Sequence, residues 1–356
     1  MGKIETDHTG SGGGITLSSD GTSLLLDGTA IGGGGGDPDL YRDNLDAGAT
    51  TPSATGSNAV SIGSGSSSSG LLSIAFGYAA TSTAQCSTAI GASSGLAGSR
   101  AIANGAVALG GSSASGVNSF AAAIASNSAS YGAQNTSCIA MGSLAKAWDG
   151  TATIAIGQNN VASSGSSIMG GKNNITTKSG AFIGGGDSNK VTSDYGRAGG
   201  RYAWSHAVEG KDSWSSGRFS ANGDSQAGTF VFRAATTNAT AKEMTTNGNA
   251  AVSWNSLNVP NNSAFSFSGT IVARQKASEG TASAAWKVEG LIRREGSAGT
   301  TVLVNSATTV LDNTPAWGMA LTANTTNGGL AITVTGAAAT NVRFVATIMT
   351  SEVTYA

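Results

Sequence analysis

The phrase SIAFGYAATSTAQCSTAIG, residues 73–91, states a rule that the chain keeps repeating: small, aliphatic or aromatic, glycine. Gly77 and Gly91 stand 14 residues apart, each preceded by a bulky apolar residue, Phe76 or Ile90. NAVSIG ends at Gly63, AVALG at Gly110, CIAMG at Gly142, TIAIG at Gly157, SSIMG at Gly170 and GAFIG at Gly184. FAAAIA ends at Ala125, where alanine replaces the glycine. The longer gaps, 91 to 110 and 125 to 142, read as small insertions in a loop.

A fixed short period is the mark of a solenoid, in which each repeat packs only on its neighbours. A period near 14 is too short for a helical repeat. It suits two short strands and two tight turns per coil. Within a phrase, Ile74 and Phe76, or Ile154 and Ile156, alternate with small residues. Alternation with period two puts the larger side chains on one face of a strand. The glycines at 63, 77, 91, 110, 142, 157, 170 and 184, namely Gly63, Gly77, Gly91, Gly110, Gly142, Gly157, Gly170 and Gly184, are expected at the turns, where backbone freedom or close approach is needed.

Charge is withheld from this region: between residues 51 and 138 only Arg100 is charged. The whole chain of 356 residues is 11% charged, with 53 glycines and a net charge of -1. That balance offers no basic field for nucleic acid and no polybasic segment for a membrane surface. A coil this small buries little area alone, so several chains wound side by side are expected, as a homotrimer. Cys86 and Cys138 are too few for a disulfide scaffold and are expected at small interior positions.

Two other regions flank the repeat. Residues 1–54 hold ITLSSDGTSLLLDGTAI, whose Asp-Gly pairs signal turns between short strands, then five glycines that make a joint, then DPDLYRDNL. The start lacks the apolar core of a signal peptide, and no run of 18 apolar residues spans a bilayer. Residues 217–356 read as seven or more short strands without helical stretches, among them TFVFRAAT, AFSFSGTIVARQ, AAWKVEGLIRRE, TTVLV and VRFVATIM. Asn327-Gly328 is a hairpin signal. This pattern argues for a β-sandwich or jelly roll.

The repeat phrases, over residues 58–186 with an extension toward 210, resemble the head repeats of trimeric autotransporter adhesins and the fibre shafts of tailed bacteriophages. IMGGKNNITTKSGAFIGGGDSNK has the GG-x-N-N style of phage fibre proteins. The resemblance implies a left-handed parallel β-roll, three chains around one axis, and a role in adhesion. An autotransporter should carry an export signal and a membrane barrel; neither is read here, so the fibre is favoured. The expected fold is all-β: an N-terminal virion-attachment segment (1–54), a trimeric β-roll shaft (55–216) and a C-terminal β-sandwich or jelly-roll tip (217–356).

Chemistry is sparse. The two histidines are His8 and His206, and no G-x-S-x-G elbow accompanies them; His206 is expected at a surface or interface. Polysaccharide cleavage needs two acids across a sugar cleft. Asp187, Asp194, Glu209, Asp212 and Asp224 all fall where the repeat gives way to the C-terminal region, and solvated loop charge accounts for them. A 14-residue coil also looks too thin for a long sugar groove. No metal-ligand or phosphate-loop spacing appears, so no cofactor and no metal is expected. Flat aromatics suit sugar rings; Trp254, Asn255, Asn261, Asn262, Asp312 and Trp317 lie near turns and are the candidate receptor contacts.

These features lead to the expectation of a non-enzymatic phage tail fibre, made in the host cytoplasm and carried on the virion. Its N-terminus would dock on a tail, baseplate or adaptor protein, and its C-terminal domain on a host surface glycan or protein. A capsid decoration or connector is the alternative, followed by a polysaccharide-degrading tailspike.

Overall fold

The computed structural model describes residues 50–92, 98–124, 130–313 and 315–355, together with the backbone of three short strands nearer the N-terminus. Those three, Leu17–Ser19, Leu24–Leu26 and Thr29–Ala30, form an antiparallel sheet in chain order. The glycine joint, the segment 37–45 and His8 lie outside the described residues.

From Ser53 onward the chain coils as a β-solenoid. One strand of each coil joins a ten-stranded parallel sheet, the other a sixteen-stranded sheet. Pairing in the larger sheet is in register from coil to coil: Val60, Ile74, Thr88, Val107, Phe120, Ile139 and Ile154 stand in one row. Thr88 pairs with Val107, and Phe120 with Ile139, five residues farther along the chain than Ile74 is from Thr88. The strands on either side keep their register across both longer gaps.

The alternation is resolved by the narrowness of the coil. The interior takes the small residue of each phrase: Ala75, Ala89, Ala108, Ala121, Ala140 and Ala155 are fully buried, as are Ala101, Ala114, Ala133 and Ala147 of the facing sheet. The bulky residues point outward, so Phe76 remains half exposed. In the first coils serine replaces alanine inside, and the hydroxyls satisfy one another: Ser68 with Ser73 and Ser82 with Ser87, both at 2.6 Å. A buried hydroxyl without a partner would cost more than it gains.

Two expectations are corrected by the turns. Cys138 is buried and its thiol donates to the Gly150 carbonyl, but Cys86 is exposed. It occupies a turn with φ +56°, as Leu72 does one coil earlier. Gly170 and Gly184 do not take the left-handed turn conformation; Gly171 (φ +77°), one residue after the first phrase, and Gly186 (φ +99°), two residues after the second, do. A β-carbon at either would run into the backbone of the next coil, Gly186 or Gly200.

Beside these glycines runs a buried ladder of asparagines. Asn160 Oδ1 accepts from the Asn174 backbone (2.9 Å), Asn174 Oδ1 from Asn189 (3.0 Å), and Asn189 Oδ1 from Ala203 (2.9 Å). The side-chain amides donate to carbonyls of the glycine turns. This explains the GG-x-N-N phrase: the glycines bring two backbones close, and the second asparagine pairs the polar groups so exposed.

The sixteen-stranded sheet does not end with the solenoid. Asp212–Ser215 pairs parallel with Arg197–Gly200 and antiparallel with Ser225–Thr236. From there the sheet continues through Val342–Thr354, Ser263–Gln275 and Ser283–Arg294 to Val302–Asp312 at its edge. A smaller sheet of Lys242–Glu243, Leu257–Asn258, Gly318–Asn324 and Gly329–Thr335 shares its core, built on Phe230, Phe232, Phe265, Phe344, Trp286 and Trp317. Gly328 makes the expected turn at φ +78°. The edge strand is longer than TTVLV suggests, because its continuation to Asp312 is rich in threonine and valine. Among the described residues no helix is long and apolar enough to cross a membrane.

Candidate functional site

The outward row of the larger sheet changes character where the solenoid meets the antiparallel strands. After Ile154 it reads Ser167, Phe182, Arg197, Asp212. In the second outward row, Gly199 pairs with Trp214. Gly184 and Gly199 leave a notch where earlier coils carry Phe76, Ile90 or Met141. The Trp214 indole turns into it: a β-carbon on Gly199 would stand 2.7 Å from the ring. The result is an open groove of about 550 Å³, lined by Phe182, Arg197, Asp212, Trp214 and glycine backbone.

The Arg197 guanidinium lies 5.6 Å from the Phe182 ring centroid. Trp214 is 64% exposed, an unusual state for so large an apolar surface. On its other side lies a second groove of about 480 Å³, lined by Ser215, Gln226, Glu352 and Val353 among others. Trp214 is therefore a partition with a recess on either side. Aromatic faces, a guanidinium, a carboxylate and bare backbone can hold a ring that is apolar on its faces and hydroxylated at its rim, which describes a sugar.

The junction acids separate by what holds them. Asp187 sits 3.6 Å from both Lys172 and Arg201. Burial would raise its pKa, but hydrogen bonds from Ser188 and Asn173 and the two cations outweigh this and hold it below the usual range. Asp194 accepts from the Ser179 backbone, and Glu209 from Thr246 and Asn247. Asp224 accepts three backbone N–H groups, from Phe219, Ser220 and Ala221. Against the raising effect of its burial, these bonds lower its pKa. Each of the four fixes a turn. Asp212 alone among the five lines the groove, and among the described residues its carboxylate takes part in no ion pair or hydrogen bond.

Glu352, beyond the Trp214 partition, is locked in a buried pair with Lys211 at 2.7 Å. Glycoside cleavage in its common form needs two carboxyl groups facing one bond. The groove of one chain supplies Asp212.

His206 does not stand beside a nucleophile. Its ring packs on Trp204, with centroids 4.4 Å apart, and Nε2 faces the Gly223 carbonyl at 3.3 Å. Burial and the nearby Lys211 push its pKa down to about 4. Among the described residues there is no group of three or more His, Cys, Asp or Glu side chains placed to hold a metal ion.

The candidate receptor contacts do not gather. Trp317 is buried against Phe344, and Asn313 bridges its backbone N–H and carbonyl. Asn255 is fully buried, tying together Asn247, Ala250 and Val252. Both expectations are corrected: tryptophan next to proline and asparagine in a turn-rich phrase reads as exposed, yet each closes a loop over the core. Trp254, Asn261, Asn262 and Asp312 stay at the surface. Phe182 and Arg197 were not singled out from sequence. Their signal was present: GAFIGG, YGRAGG and KDSWSS are the phrases in which the outward apolar pair is broken.

No family model matches the chain, and no curated protein does. Among solved structures it is similar to the tailspike protein gp49 from Acinetobacter baumannii bacteriophage Fri1, a capsular polysaccharide depolymerase, at 14% identity and a TM-score of 0.22. The likeness covers 62% of this chain and 40% of that one. The expectation of a non-enzymatic fibre is corrected at this point, since the structure found to be similar is an enzyme's. At that TM-score the likeness assigns no activity to this chain.

Proposed function

We propose that this chain is a tailspike-type virion protein that takes a surface polysaccharide into the groove at the solenoid junction and cleaves it. The observation that carries the reading is the grouping of Phe182, Arg197, Asp212 and Trp214 on one outward face, in a notch made by glycines. Phe182 and Trp214 stack on sugar rings and Arg197 orients hydroxyl or carboxylate groups; Asp212 donates its proton to the glycosidic oxygen as the bond to the anomeric carbon breaks, a water adds to that carbon, and its proton returns to Asp212.

The assembly that supports this is a homotrimer of left-handed solenoids, attached to the virion through residues 1–54. The support is the outward row of the solenoid. Val60, Ile74, Phe76, Ile90 and Met141 are each at least 38% exposed. They form an apolar row along the coils that precede the groove, leaving Phe182, Arg197, Asp212 and Trp214 outside it. A surface that repeats at the rise of the coil is matched best by another chain with the same rise.

Purified full-length protein is incubated with capsular polysaccharide from candidate bacterial hosts, and binding and new reducing ends are measured. Wild type is expected to bind and to release reducing ends. Asp212→Asn is expected to bind equally and to lose at least 100-fold in rate. Binding without release by the wild type would remove the catalytic half of the reading, and absence of binding would remove all of it.

A further inference from the structure

At the end of the C-terminal sheet away from the groove, Arg274 and Arg343 stand directly opposite each other on neighbouring strands. Both are exposed, on the face turned away from the smaller sheet. Side chains paired in this way have Cβ atoms about 5 Å apart, so two like charges repel. The same row continues on either side with Ala235 and Ser283, which bring no countercharge. Arg233, on the same face two residues before Ala235, adds a third guanidinium and donates to the Asn247 carbonyl.

Among the described residues neither Arg274 nor Arg343 forms an ion pair, and no hydrogen bond engages Arg343. Arg274 is fixed by the turn that follows its strand, Nη1 donating to the Ala282 carbonyl at 3.1 Å. The acid of that turn, Glu279, is occupied elsewhere. Its Oε2 accepts the Asn341 backbone N–H at 2.8 Å, and its Oε1 faces Lys276 Nζ at 3.7 Å. The two arginines line a cleft of about 560 Å³, together with Thr237, Gln275, Lys276 and Asn341 among others, and no carboxylate is in its lining. Each guanidinium carries five N–H donors in a planar fork. Most of these are left unused here, and such forks match the paired oxygens of a carboxylate or phosphate.

We propose that this cleft is an oxyanion site, which takes a carboxylate or phosphate group displayed by a molecule lying against the outer face of the sheet. The bound anion sits between the two guanidiniums and turns their repulsion into attraction to a shared partner. The site is distinct from the groove. Thr229, the partner of Asp212, and Ala235, the partner of Arg343, are six residues apart on one strand, about 20 Å. It stands whether or not the groove cleaves a polysaccharide.

Isothermal titration of the full-length protein with inorganic phosphate and, separately, with glucuronate tests this, at an ionic strength held constant with sodium chloride. Wild type is expected to bind at least one of them saturably; phosphate alone would mark a phosphate site, and glucuronate alone a carboxylate site. Arg343→Gln and Arg274→Gln are each expected to weaken binding about tenfold. Arg293→Gln, an exposed arginine at the other end of the sheet, is expected to leave it unchanged. Without anion, Arg343→Gln is expected to melt no lower than wild type, because it removes a like-charge contact; this separates loss of binding from loss of fold. Failure of both anions to bind saturably would overturn the proposal. Equal binding by wild type and the Arg274→Gln/Arg343→Gln double variant would overturn it too, by placing the anion elsewhere. An equal loss in Arg293→Gln would reduce the effect to the general charge of the surface and have the same consequence.

Discussion

Lys211 Nζ lies 2.7 Å from Glu352 Oε2, and both side chains are withdrawn from solvent. The lysine opens the last parallel strand of the solenoid; the glutamate is on the C-terminal strand. Gln226 and Thr350 donate to the same carboxylate, and Gln226 also exchanges hydrogen bonds with the Trp204 backbone. Phe230 and Phe265 lie 5.3 and 5.6 Å from the ammonium. Burial lowers the Lys211 pKa, and Glu352 opposes that. Burial would raise Glu352, but Lys211 and its hydrogen-bond donors outweigh it and hold it low. The junction beneath the groove is thus pinned by a desolvated pair whose members depend on each other.

Glu352→Gln should therefore destabilise the fold by about 3–5 kcal/mol, because it strands a buried ammonium. Replacing both, Lys211→Met with Glu352→Leu, should recover most of that loss. Denaturant unfolding of the three proteins checks this. Equal losses in the single and double variants would mean that the pair is not mutually dependent.

His206 predicts a pH effect with a definite sign. Its folded pKa of about 4 lies below the usual 6.5, so the unfolded chain binds the proton first as pH falls. Its contribution to stability is intact above pH 6.5 and declines between about 6.5 and 4, by up to about 3 kcal/mol. His206→Phe should flatten the stability curve in that window. An unchanged slope in the variant would assign the pH effect to other groups.

Gly199→Ala tests the notch without touching a charged group. The added methyl must displace the Trp214 ring. Polysaccharide binding should fall about tenfold, or about 1.4 kcal/mol, with a melting temperature within a few degrees of wild type. Trp214→Ala should weaken binding at least as much.

Asn174 is the middle of the asparagine ladder. Asn174→Ala leaves the buried Asn189 N–H without its acceptor and removes one of two donors from the Gly170 and Gly186 carbonyls, at about 1–3 kcal/mol. Thermal unfolding should show the loss. Asn173→Ala, one residue away and exposed, serves as the control and should cost less than about 1 kcal/mol.

The repeat phrase by itself determined the solenoid: a 14-residue period allows two strands per coil, and alternating residues must face opposite sides. The C-terminal strands were legible in the same way, from alternating runs and the Asn327-Gly328 turn. Sequence did not say which alternating face is inside. That was decided by the spacing between the two sheets, which admits Ala75 and Ala89 and excludes Phe76 and Ile90. Nor did it say that Asn255 and Trp317 are buried, because closure of a loop over a core depends on what lies beneath. The groove shows the limit most clearly. Phe182, Arg197, Asp212 and Trp214 span more than two coils of chain, and each looks ordinary in its own phrase. Only the register of the parallel strands stacks them in neighbouring rows, since hydrogen bonding between coils brings positions one period apart to within about 5 Å.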